Sequence, residues 1–267
     1  MNETFKFLAF ETSTDMMSVA VSKGAQTWHH HGVGGPNASA QLIPVIQDLL
    51  SQAELKLNDL TAVVIGHGPG SFTGLRTACS VAQGLAMGAN LKVIQIDTLM
   101  AVAEDARMQL CLATPEQAPT QQIGVLMDAR MSEVYAGAYE WQSESSEWHS
   151  ILPLQVGPPE MMLKALSIVS KPCDAWAGNG WDVYKDRLRL ILDTDANAEE
   201  NAKPDRILPT MCVSAMPHAL ALLRLAPAQW ARGEAVAPEA VQPLYIRDKV
   251  AQTTAEREAI KASKMIV

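Results

Sequence analysis

The sequence predicts an α/β protein of two related halves, each with a mixed sheet flanked by helices. Two strand–bend–strand segments, residues 5–23 and 123–141, share one plan, with Glu11 ending the first strand of one and Asp128 that of the other. Helix-like and strand-like segments alternate after each of them. A plan that occurs twice in one chain indicates two related halves.

Helices and strands alternate in the first half. Apolar spacing after the first hairpin predicts a helix from about Ala40 to Glu54 and a second one, built of small residues, that ends near Gly88. The strand-like runs are residues 61–65, which precede the second helix, and residues 92–96, which follow it. Since helices lie between the strands along the chain, we expect them to flank a mixed sheet.

The second half has a similar order, with a helix at 159–170, a strand at 175–177 and a helix at 181–192. Between the halves, residues 115–121 are polar and include two prolines, which is typical of a linker. The acidic stretch at 193–201 is typical of a solvated surface loop.

These boundaries divide the chain into three regions. We expect an N-terminal half at residues 1–114, which carries the two helices described above, and a C-terminal half at residues 122–247. The remaining tail, residues 248–267, lacks a clear apolar stripe, so we expect a frayed helix or disorder there.

The bulk properties exclude several classes of protein. The chain has 267 residues, of which 48% are hydrophobic, enough for a substantial core, and its formal net charge is -8. Because a nucleic-acid-binding surface needs clustered lysine and arginine, we expect no strong binding of nucleic acid by this chain alone. No basic segment precedes an apolar run near residue 1, and no run approaches ~18 apolar residues, so we expect a cytoplasmic protein without membrane insertion.

The spacing of the cysteines also fits a cytoplasmic protein. Cys79, Cys111, Cys173 and Cys212 lie far apart in the sequence and form no C-x-x-C pair. In a cytoplasmic protein this pattern is typical of buried free thiols, and it predicts neither disulfides nor a zinc site.

The most informative segment is a glycine-rich turn between a strand-like run and a helix, residues 66–76, with the sequence GHGPGSFTGLR. Glycines at the start of a helix occur in phosphate-binding loops and also in tight strand-to-helix connections. A triphosphate-binding loop needs a lysine, and this turn has none, so the tight connection is favoured. We expect a helix that begins near Ser71 and is capped by Ser71 or Thr73. The loop residues are Gly66, Gly68, Pro69, Gly70, Ser71, Thr73 and Gly74.

Glu11 and Asp128 each end the first strand of their half, where an acid is either a magnesium ligand or a group that stabilises the turn. The bends after them, residues 12–14 and 129–131, have side chains where a backbone that surrounds phosphate needs glycine. An acid at the end of a strand more often stabilises the turn. We therefore expect neither a magnesium site nor ATP hydrolysis.

Metal binding and serine chemistry are not expected either. Residues 29–31 are three consecutive histidines. Because adjacent strand positions point to opposite faces, at most two of them could bind the same metal ion. We therefore favour an exposed hairpin edge over a metal site. Ser71 lies in a turn like that of serine hydrolases, but Thr73 stands where their G-x-S-x-G turn has glycine. His67 is near Ser71 only in sequence. The sequence predicts no catalytic residue, no metal site and no cofactor.

Two helices have features of a contact surface. The helix at 40–54 has seven apolar residues over an arc of roughly 160°, wider than the ~100° that packing on one sheet requires. The next helix has Ala78, Ala82 and Ala86 in one ridge, and small side chains let another helix approach closely. A buried helix pair explains the same pattern, and both interpretations stay open. Arg76 opposes the dipole of its helix, which a polar partner would explain.

Several segments resemble the TsaB family (formerly YeaZ), a bacterial subunit of the machinery that makes threonylcarbamoyladenosine in tRNA. The match from Gly66 to Leu85 contains the most specific element, GPGSFTGLR. The other segments are LAFETST at 8–14, DARMSEVY at 128–135, GNGW at 178–181 and PLYIR at 243–247. The resemblance extends from the first strand to about residue 247.

The resemblance implies the ASKHA fold of actin, sugar kinases and the Hsp70 ATPase. It implies a non-catalytic scaffold that organises TsaD, which transfers threonylcarbamoyl to adenosine 37 of tRNAs that read ANN codons. It also implies a heterodimer with TsaD, TsaE in a larger complex, a homodimer when alone, and contact with tRNA only through the complex. The partner interface is then expected at Leu42, Val45, Ile46, Leu49, Leu75, Arg76, Ala78 and Ala82.

The chain departs from the family pattern at one place. TsaD has two histidines on its first helix that help to hold a metal, and TsaB relatives often keep one just before that helix. Here the corresponding residues are 36–40, PNASA, so no trace of that site remains. The alternatives to a scaffold are an ATP-dependent small-molecule kinase of the same fold and a peptidase.

Overall fold

The computed structural model describes residues 4–113, 122–167, 173–189 and 211–246. The predicted linker at 115–121, the acidic stretch at 193–201 and the tail at 248–267 lie outside these residues. Within them, no helix has both the length and the apolar character that a membrane span needs.

The N-terminal sheet consists of β1 (Lys6–Glu11), β2 (Met16–Lys23), β3 (Gln26–Val33), β4 (Ala62–His67) and β5 (Lys92–Asp97). Its strand order is β3-β2-β1-β4-β5. β1 is antiparallel to β2 and parallel to β4, so Glu11 lies beside the start of the glycine-rich turn that follows β4. The sheet is therefore mixed, as predicted.

The C-terminal sheet consists of β6 (Gln122–Asp128), β7 (Val134–Gln142), β8 (Glu147–Gly157), β9 (Ala175–Ala177) and β10 (Cys212–Val213). Its order is β8-β7-β6-β9-β10, and β6 is antiparallel to β7 and parallel to β9. The strands of the two sheets thus follow one another in the same spatial order. This confirms the prediction of two related α/β halves with mixed sheets.

The helices are α1 (Ala38–Gln52), α2 (Phe72–Ala89), α3 (Thr98–Ala113), α4 (Pro159–Ser167), α5 (Gly180–Val183) and α6 (Ala219–Ala231). α1 and α2 agree with the prediction within two residues at each end. The sequence did not predict α3 and α6. Both are apolar around most of their circumference because other elements cover them on several sides, so they lack the one-sided periodicity that marks a surface helix.

Buried side chains form one core in each half and one between the halves. In the N-terminal half the core lies between the sheet and helices α1 and α2. α4 covers the C-terminal sheet in a similar way. The largest cluster joins both sheets through α3 and α6. The two halves therefore share apolar contacts as well as a chain connection.

The predicted C-terminal half, residues 122–247, needs one correction. α6 packs on β1, β2, β4 and β5 of the N-terminal sheet. After it, the backbone of Val236 exchanges two hydrogen bonds with Val93 on β5, at 2.8 and 2.9 Å. Farther on, the Gln83 side chain on α2 donates to the carbonyl of Val241 at 3.1 Å. The end of the described chain thus belongs by its contacts to the N-terminal half.

A buried carboxylate links the halves on the side of α3 and α6. Glu104 on α3 is 1% exposed and accepts hydrogen bonds from Arg107, from Arg224 on α6 at 2.8 Å, and from the indole of Trp148 on β8 at 3.0 Å. Two guanidinium groups compensate the charge of this carboxylate, which makes its burial tolerable. Tyr139 on β7 makes a second link, because its hydroxyl donates to Asp97 at 2.6 Å.

Candidate functional site

The glycine-rich turn after β4 packs tightly on the bend after β1. Ser71 donates its backbone N–H to the carbonyl of Ser13 at 2.7 Å, and the Thr12 hydroxyl donates to the carbonyl of Gly74 at 2.8 Å. A Cβ atom at any of four glycines would overlap a neighbour: Gly66 with Glu11, Gly68 with Thr98, Gly70 with Ser13 and Gly74 with Thr12. These glycines are needed for close packing of two segments of the chain, which is the tight connection that the sequence favoured.

The start of α2 follows the predicted capping. Ser71 is the N-cap, and its hydroxyl accepts the N–H of Gly74 at 3.5 Å. Thr73 is exposed in the first turn, and Pro69 lies on the wall of a cavity described below. Among the described residues no hydrogen bond joins Ser71 to His67. Burial lowers the pKa of His67.

Glu11 is sealed beneath this turn. Its carboxyl group is 2% exposed, and Oε1 accepts the N–H of Ser13 at 2.6 Å, while Oε2 has no hydrogen-bond partner. Burial raises the pKa of Glu11, against the smaller opposing effect of the hydrogen bonds from Ser13. The side chain oxygens of Ser13 and Thr98 beside it are also buried without partners. The carboxyl group of Glu11 is therefore harder to ionise than an exposed one, and it does not line the cavity between the halves.

Asp128, the equivalent residue in the second half, stabilises its own turn. Oδ1 accepts the backbone N–H of Arg130 at 2.9 Å and the hydroxyl of Tyr184 at 2.8 Å. The N–H of Asp128 in turn donates to the side chain of Asn179 at 2.9 Å. These contacts favour the interpretation of Asp128 as a turn-stabilising acid. The sequence named Asn179 only as part of the GNGW segment and did not name Tyr184, because their contacts with Asp128 span more than fifty residues.

The bend after Asp128 has an unusual backbone. Arg130, Met131 and Ser132 have φ angles of 61°, 53° and 62°, the left-handed region that non-glycine residues rarely enter. Each such residue costs about 1 kcal/mol or more. The hydrogen bond between the carbonyl of Arg130 and the N–H of Glu133 helps to hold the turn. The bend presents Arg130 and Met131 to solvent, at 78% and 67% exposure.

A cavity of about 370 Å³ lies between the two halves, at the ends of β1 and β6. One wall is formed by residues 13–16, 69–71 and 98–99 of the N-terminal half, and another by residues 127–130 of the C-terminal half. The size suits a small ligand, since such pockets measure about 300 Å³ or more. The groups that would bind a nucleotide phosphate are not arranged for it: Glu11 is sealed beneath the wall, and both bends carry side chains.

The three histidines lie on β3, an edge strand, as the sequence favoured. The ring of His31 is 6.2 Å from that of His218, which contacts Asp105 at 2.6 Å. Within the described residues no group of three or more possible ligands is placed to hold a metal ion.

Of the cysteines, Cys79 and Cys173 are buried, and burial raises their thiol pKa values to about 11 and about 12. Cys212 is exposed, contrary to the prediction of buried thiols, and Cys111 is partly exposed.

Most residues of the expected partner interface face inward, which corrects the sequence interpretation. Leu42, Ile46 and Leu49 on α1 and Ala78 and Ala82 on α2 are at most 5% exposed and belong to the core of the N-terminal half. The wide apolar arc of α1 is explained by contacts with the sheet on one side and with α2 on the other. Val45 is half-buried, Leu75 is buried and Arg76 is exposed. An interface on these two helices remains a prediction, but it has to use their outer residues.

The outer face of α2 carries small side chains. Thr77 is half-buried, while Ser80, Gly84 and Gly88 are exposed, at spacings of three or four residues. A Cβ atom at Gly84 or Gly88 would meet nothing within 4 Å. The sequence left open whether the ridge of Ala78, Ala82 and Ala86 faces the core or a partner, and only the family resemblance favoured a partner. In the structure the neighbouring stripe of the same helix is the open one. Periodicity identifies a stripe but does not say which of two small-residue stripes faces the core.

Arg76 has a partner within the chain. Its Nε donates to the hydroxyl of Tyr245 at 2.9 Å, and its guanidinium lies 4.9 Å from the centre of the Phe72 ring. The rings of Phe72 and Tyr245 stack with their centres 4.7 Å apart. This cluster attaches the PLYIR segment to the start of α2, and it explains why an arginine is tolerated in the first turn. No partner protein is needed to account for it.

Comparison with known proteins agrees with this geometry. Residues 33–255 match the family model described as TsaD: tRNA N6-adenosine threonylcarbamoyltransferase. The Escherichia coli protein named tRNA threonylcarbamoyladenosine biosynthesis protein TsaB is 30% identical over 251 residues, which cover 92% of this chain and 96% of that one. The protein of the same name from Haemophilus influenzae is 29% identical over 254 residues, or 93% and 96% of the two chains. The solved structure of YeaZ from Pseudomonas aeruginosa is 32% identical, covers 90% of this chain and 99% of that one, and has a TM-score of 0.70.

The duplicated five-stranded sheets, with a cleft between them at the ends of equivalent strands, define a two-domain protein of the actin-like ASKHA class. In this chain the acidic residues at the cleft have structural contacts. Identity over nearly the whole length then gives the particular family: the chain belongs to the TsaB (YeaZ) family.

Proposed function

We propose that the chain is a non-catalytic scaffold subunit that binds and organises TsaD for threonylcarbamoyl transfer to adenosine 37 of tRNAs reading ANN codons. Membership of the TsaB family supports a place in tRNA threonylcarbamoyladenosine biosynthesis, the process named for its relatives. In this scheme the protein works in the cytoplasm as a heterodimer with TsaD, joined by TsaE in a larger complex. It forms a homodimer when alone and contacts tRNA only through the complex.

One observation carries the non-catalytic part of the proposal. The glycines that could have surrounded a phosphate pack against the end of β1, the bend after it or Thr98 at the start of α3, and Glu11 is buried beneath them with a raised pKa. A nucleotide site at this cleft would need an accessible carboxylate for magnesium and backbone N–H groups free to face phosphate. Instead the N–H of Ser71 donates to the carbonyl of Ser13, and the Glu11 carboxyl group accepts the N–H of Ser13 beneath the turn.

The open stripe of α2 supports the binding part. Ser80, Gly84 and Gly88 let a second helix approach closely, because their side chains occupy little space above the helix axis. Ile43, on helix α1 that packs beside α2, is an exposed apolar side chain, at 43%. We propose this surface, in place of the buried residues first expected, as the contact for TsaD and for a second copy of the chain.

A small-molecule kinase is the alternative function that a specific observation supports. The cavity between the halves is at the place where two-domain proteins of this fold bind ATP, and its volume of about 370 Å³ admits a small ligand. Magnesium-ATP binding by the isolated chain with an affinity better than millimolar would favour the kinase. A peptidase requires a reactive serine, so labelling by a serine-directed covalent reagent would favour that function.

The scaffold proposal is tested by measuring the affinity of this chain for TsaD from the same organism. Ser80→Glu places a carboxylate on the open stripe of α2, and we expect it to lower the affinity by about 100-fold, since an unpaired charge at a close helix contact costs several kcal/mol. Ser150→Glu, at an exposed position on β8 of the other half, is the matched control and should bind as the unchanged chain does. Equal affinity of both variants would place the contact elsewhere, and no binding by the unchanged chain would contradict the proposed function.

A further inference from the structure

A second cavity lies where α3, the hairpin of β7 and β8, and α6 meet. It measures about 330 Å³ and shares no lining residue with the cavity between the halves. One face of each helix lines it, with residues 100, 104 and 107 of α3 and residues 224, 225, 228, 229 and 232 of α6, and the hairpin adds residues 141 and 146–148. We name this space the α3–α6 cavity. Its volume is in the range of pockets for small molecules.

One wall of the α3–α6 cavity is apolar and aromatic. The rings of Trp141 and Trp148 pack edge to face with their centres 5.4 Å apart, and Met100 and Leu225 lie on the same lining. Trp148 is held in place by the hydrogen bond from its indole to Glu104. Two indole rings fixed in this way offer a flat apolar surface to the body of a ligand.

The inner end of the cavity has unused hydrogen-bond donors. Glu104 accepts from Nε and one terminal nitrogen of Arg107, but only from Nε of Arg224. Within the described part of the chain, both terminal nitrogens of Arg224 have no hydrogen-bond partner. Asp105 also interacts with Arg224 electrostatically, but it is hydrogen-bonded to His218 and does not line the cavity. Two guanidinium groups thus share one lining carboxylate, which leaves donors and positive charge for a ligand.

Gln229 on α6 provides an independent observation. This residue lines the cavity and is only 8% exposed, yet no hydrogen bond joins its side-chain amide to any described residue. A buried amide without a partner costs free energy, and such groups are rare in folded proteins. A polar group of a ligand in the cavity would supply the partner that the chain does not.

The outer end of the cavity has the opposite charge balance. All three guanidinium nitrogens of Arg232 donate to carboxylates, Nε and one terminal nitrogen to Glu234 and the other to Glu147 at 2.8 Å. Two acids compensate one arginine here, so this end does not attract a second acidic group. The cavity therefore suits a ligand with a single acidic group, bound at the inner end.

We propose that the α3–α6 cavity binds a small monocarboxylic acid with an aromatic or other flat apolar body. The carboxylate accepts hydrogen bonds from the terminal nitrogens of Arg224 and from the amide of Gln229, and the apolar body lies against Trp141 and Trp148. A planar carboxylate matches the fork of a guanidinium group. Inorganic phosphate fits less well, because it brings more negative charge and nothing to cover the indole rings.

The test uses the full chain and 3-phenylpropionate as the probe, with the uncharged 3-phenylpropanamide as the matched ligand control. Binding is followed by the indole N–H signals of Trp141 and Trp148 in NMR spectra, which Trp141→Phe and Trp148→Phe assign. We expect the acid to shift both signals with a dissociation constant below about 1 mM, and the amide to bind roughly 10-fold more weakly or less.

Three variants locate the carboxylate. Arg224→Gln and Gln229→Leu each remove donors at the inner end, and we expect each to weaken binding of the acid by roughly 10-fold or more. Arg232→Gln is the matched control, because Arg232 lines the same cavity but has every guanidinium nitrogen already bonded to a carboxylate. It should change the affinity by less than roughly 3-fold.

The contrary outcomes are distinct. Absence of a shift in both indole signals at about 5 mM acid would overturn the proposal. Equal binding of the amide would show that no carboxylate is recognised, and equal binding of inorganic phosphate would show a general anion site, so either result would also overturn it. If Arg224→Gln does not fold in a thermal melt, Gln229→Leu decides, and unchanged affinity in that variant contradicts the assignment. None of these results affects the scaffold proposal, since the test does not involve TsaD.

Discussion

The functional assignment depends on what a few residues contact. Gly66, Gly68, Gly70 and Gly74 could equally have surrounded a phosphate, and sequence alone favoured the tight connection only because no lysine accompanies them. The structure supplies the physical reason, since each glycine touches the bend after β1 or the start of α3. The contact of Gly68 joins positions 30 residues apart and those of the other three join positions 55 to 62 residues apart, so no local pattern could have predicted them.

Two glycines of α2 provide a direct test of this interpretation. Gly74→Ala places a Cβ atom against the carbonyl of Thr12, so we expect a loss of about 2 kcal/mol or more in the free energy of unfolding. Gly84→Ala meets nothing within 4 Å, and we expect a gain of about 0.5–1 kcal/mol, because alanine favours a helix over glycine. Urea denaturation measures both. Equal effects of the two substitutions would mean that packing does not explain the glycine at position 74.

The raised pKa of Glu11 predicts a pH dependence of stability. In the folded chain its pKa lies above the unfolded value of about 4.5, so the folded state holds the proton more tightly. The contribution of Glu11 to stability is therefore complete below the unfolded pKa and is lost as the pH rises through the folded pKa. Glu11→Gln does not ionise, and we expect it to gain stability relative to the unchanged chain as the pH rises from 5 to 8. A difference that stays constant across this range, measured by urea denaturation, would contradict the raised pKa.

Among the elements, the hairpins, α1, α2 and the parallel strands were predictable. Each of them has its own apolar periodicity or is bounded by turn residues. α3 and α6 were not predicted, since both are covered on several sides and lack a polar face. The orientation of α2 was also not predictable, because it has small residues on both its inner and its outer stripe. The partner surface was consequently assigned to Ala78 and Ala82, which face the core.

The orientation of α2 predicts opposite outcomes for two neighbouring substitutions. Ala82 is fully buried between α2 and the sheet, so Ala82→Glu should lower the free energy of unfolding by several kcal/mol or prevent folding. Ser80 is exposed, so Ser80→Glu should change stability by less than about 0.5 kcal/mol. Circular dichroism melts compare the two variants directly. A stable Ala82→Glu variant would mean that the inner face of α2 has been identified wrongly.

At the scale of the whole molecule, the two halves are held together by specific contacts. Glu104 binds Arg107, Arg224 and Trp148 with almost no exposure to solvent, and Tyr139 donates to Asp97 across the same boundary. Firm links of this kind suit a scaffold that presents a fixed surface. The sequence indicated two halves, but the side chains that join them lie far apart along the chain.

The Glu104 cluster should contribute strongly to stability. Glu104→Gln leaves two buried or half-buried guanidinium groups without their counter-charge, and we expect a loss of about 3–5 kcal/mol in the free energy of unfolding. Glu147→Gln is the matched control, since its contact with Arg232 is more exposed and should be worth no more than about 1 kcal/mol. Comparable losses in the two variants, measured by chemical denaturation, would show that the buried cluster has no special role.

The central claim is that the chain supports tRNA modification by binding TsaD and without chemistry at its own cleft. The most direct measurement is the rate of threonylcarbamoyladenosine formation on tRNA by TsaD and its partners in the presence of chain variants. We expect the double variant Glu11→Gln and Asp128→Asn to sustain the reaction within about 3-fold of the unchanged chain, since both acids have structural contacts only. Ser80→Glu should slow it strongly when TsaD is present near its dissociation constant, because TsaD then binds about 100-fold more weakly. A folded Glu11→Gln and Asp128→Asn variant that binds TsaD normally and yet supports no modification would contradict the account.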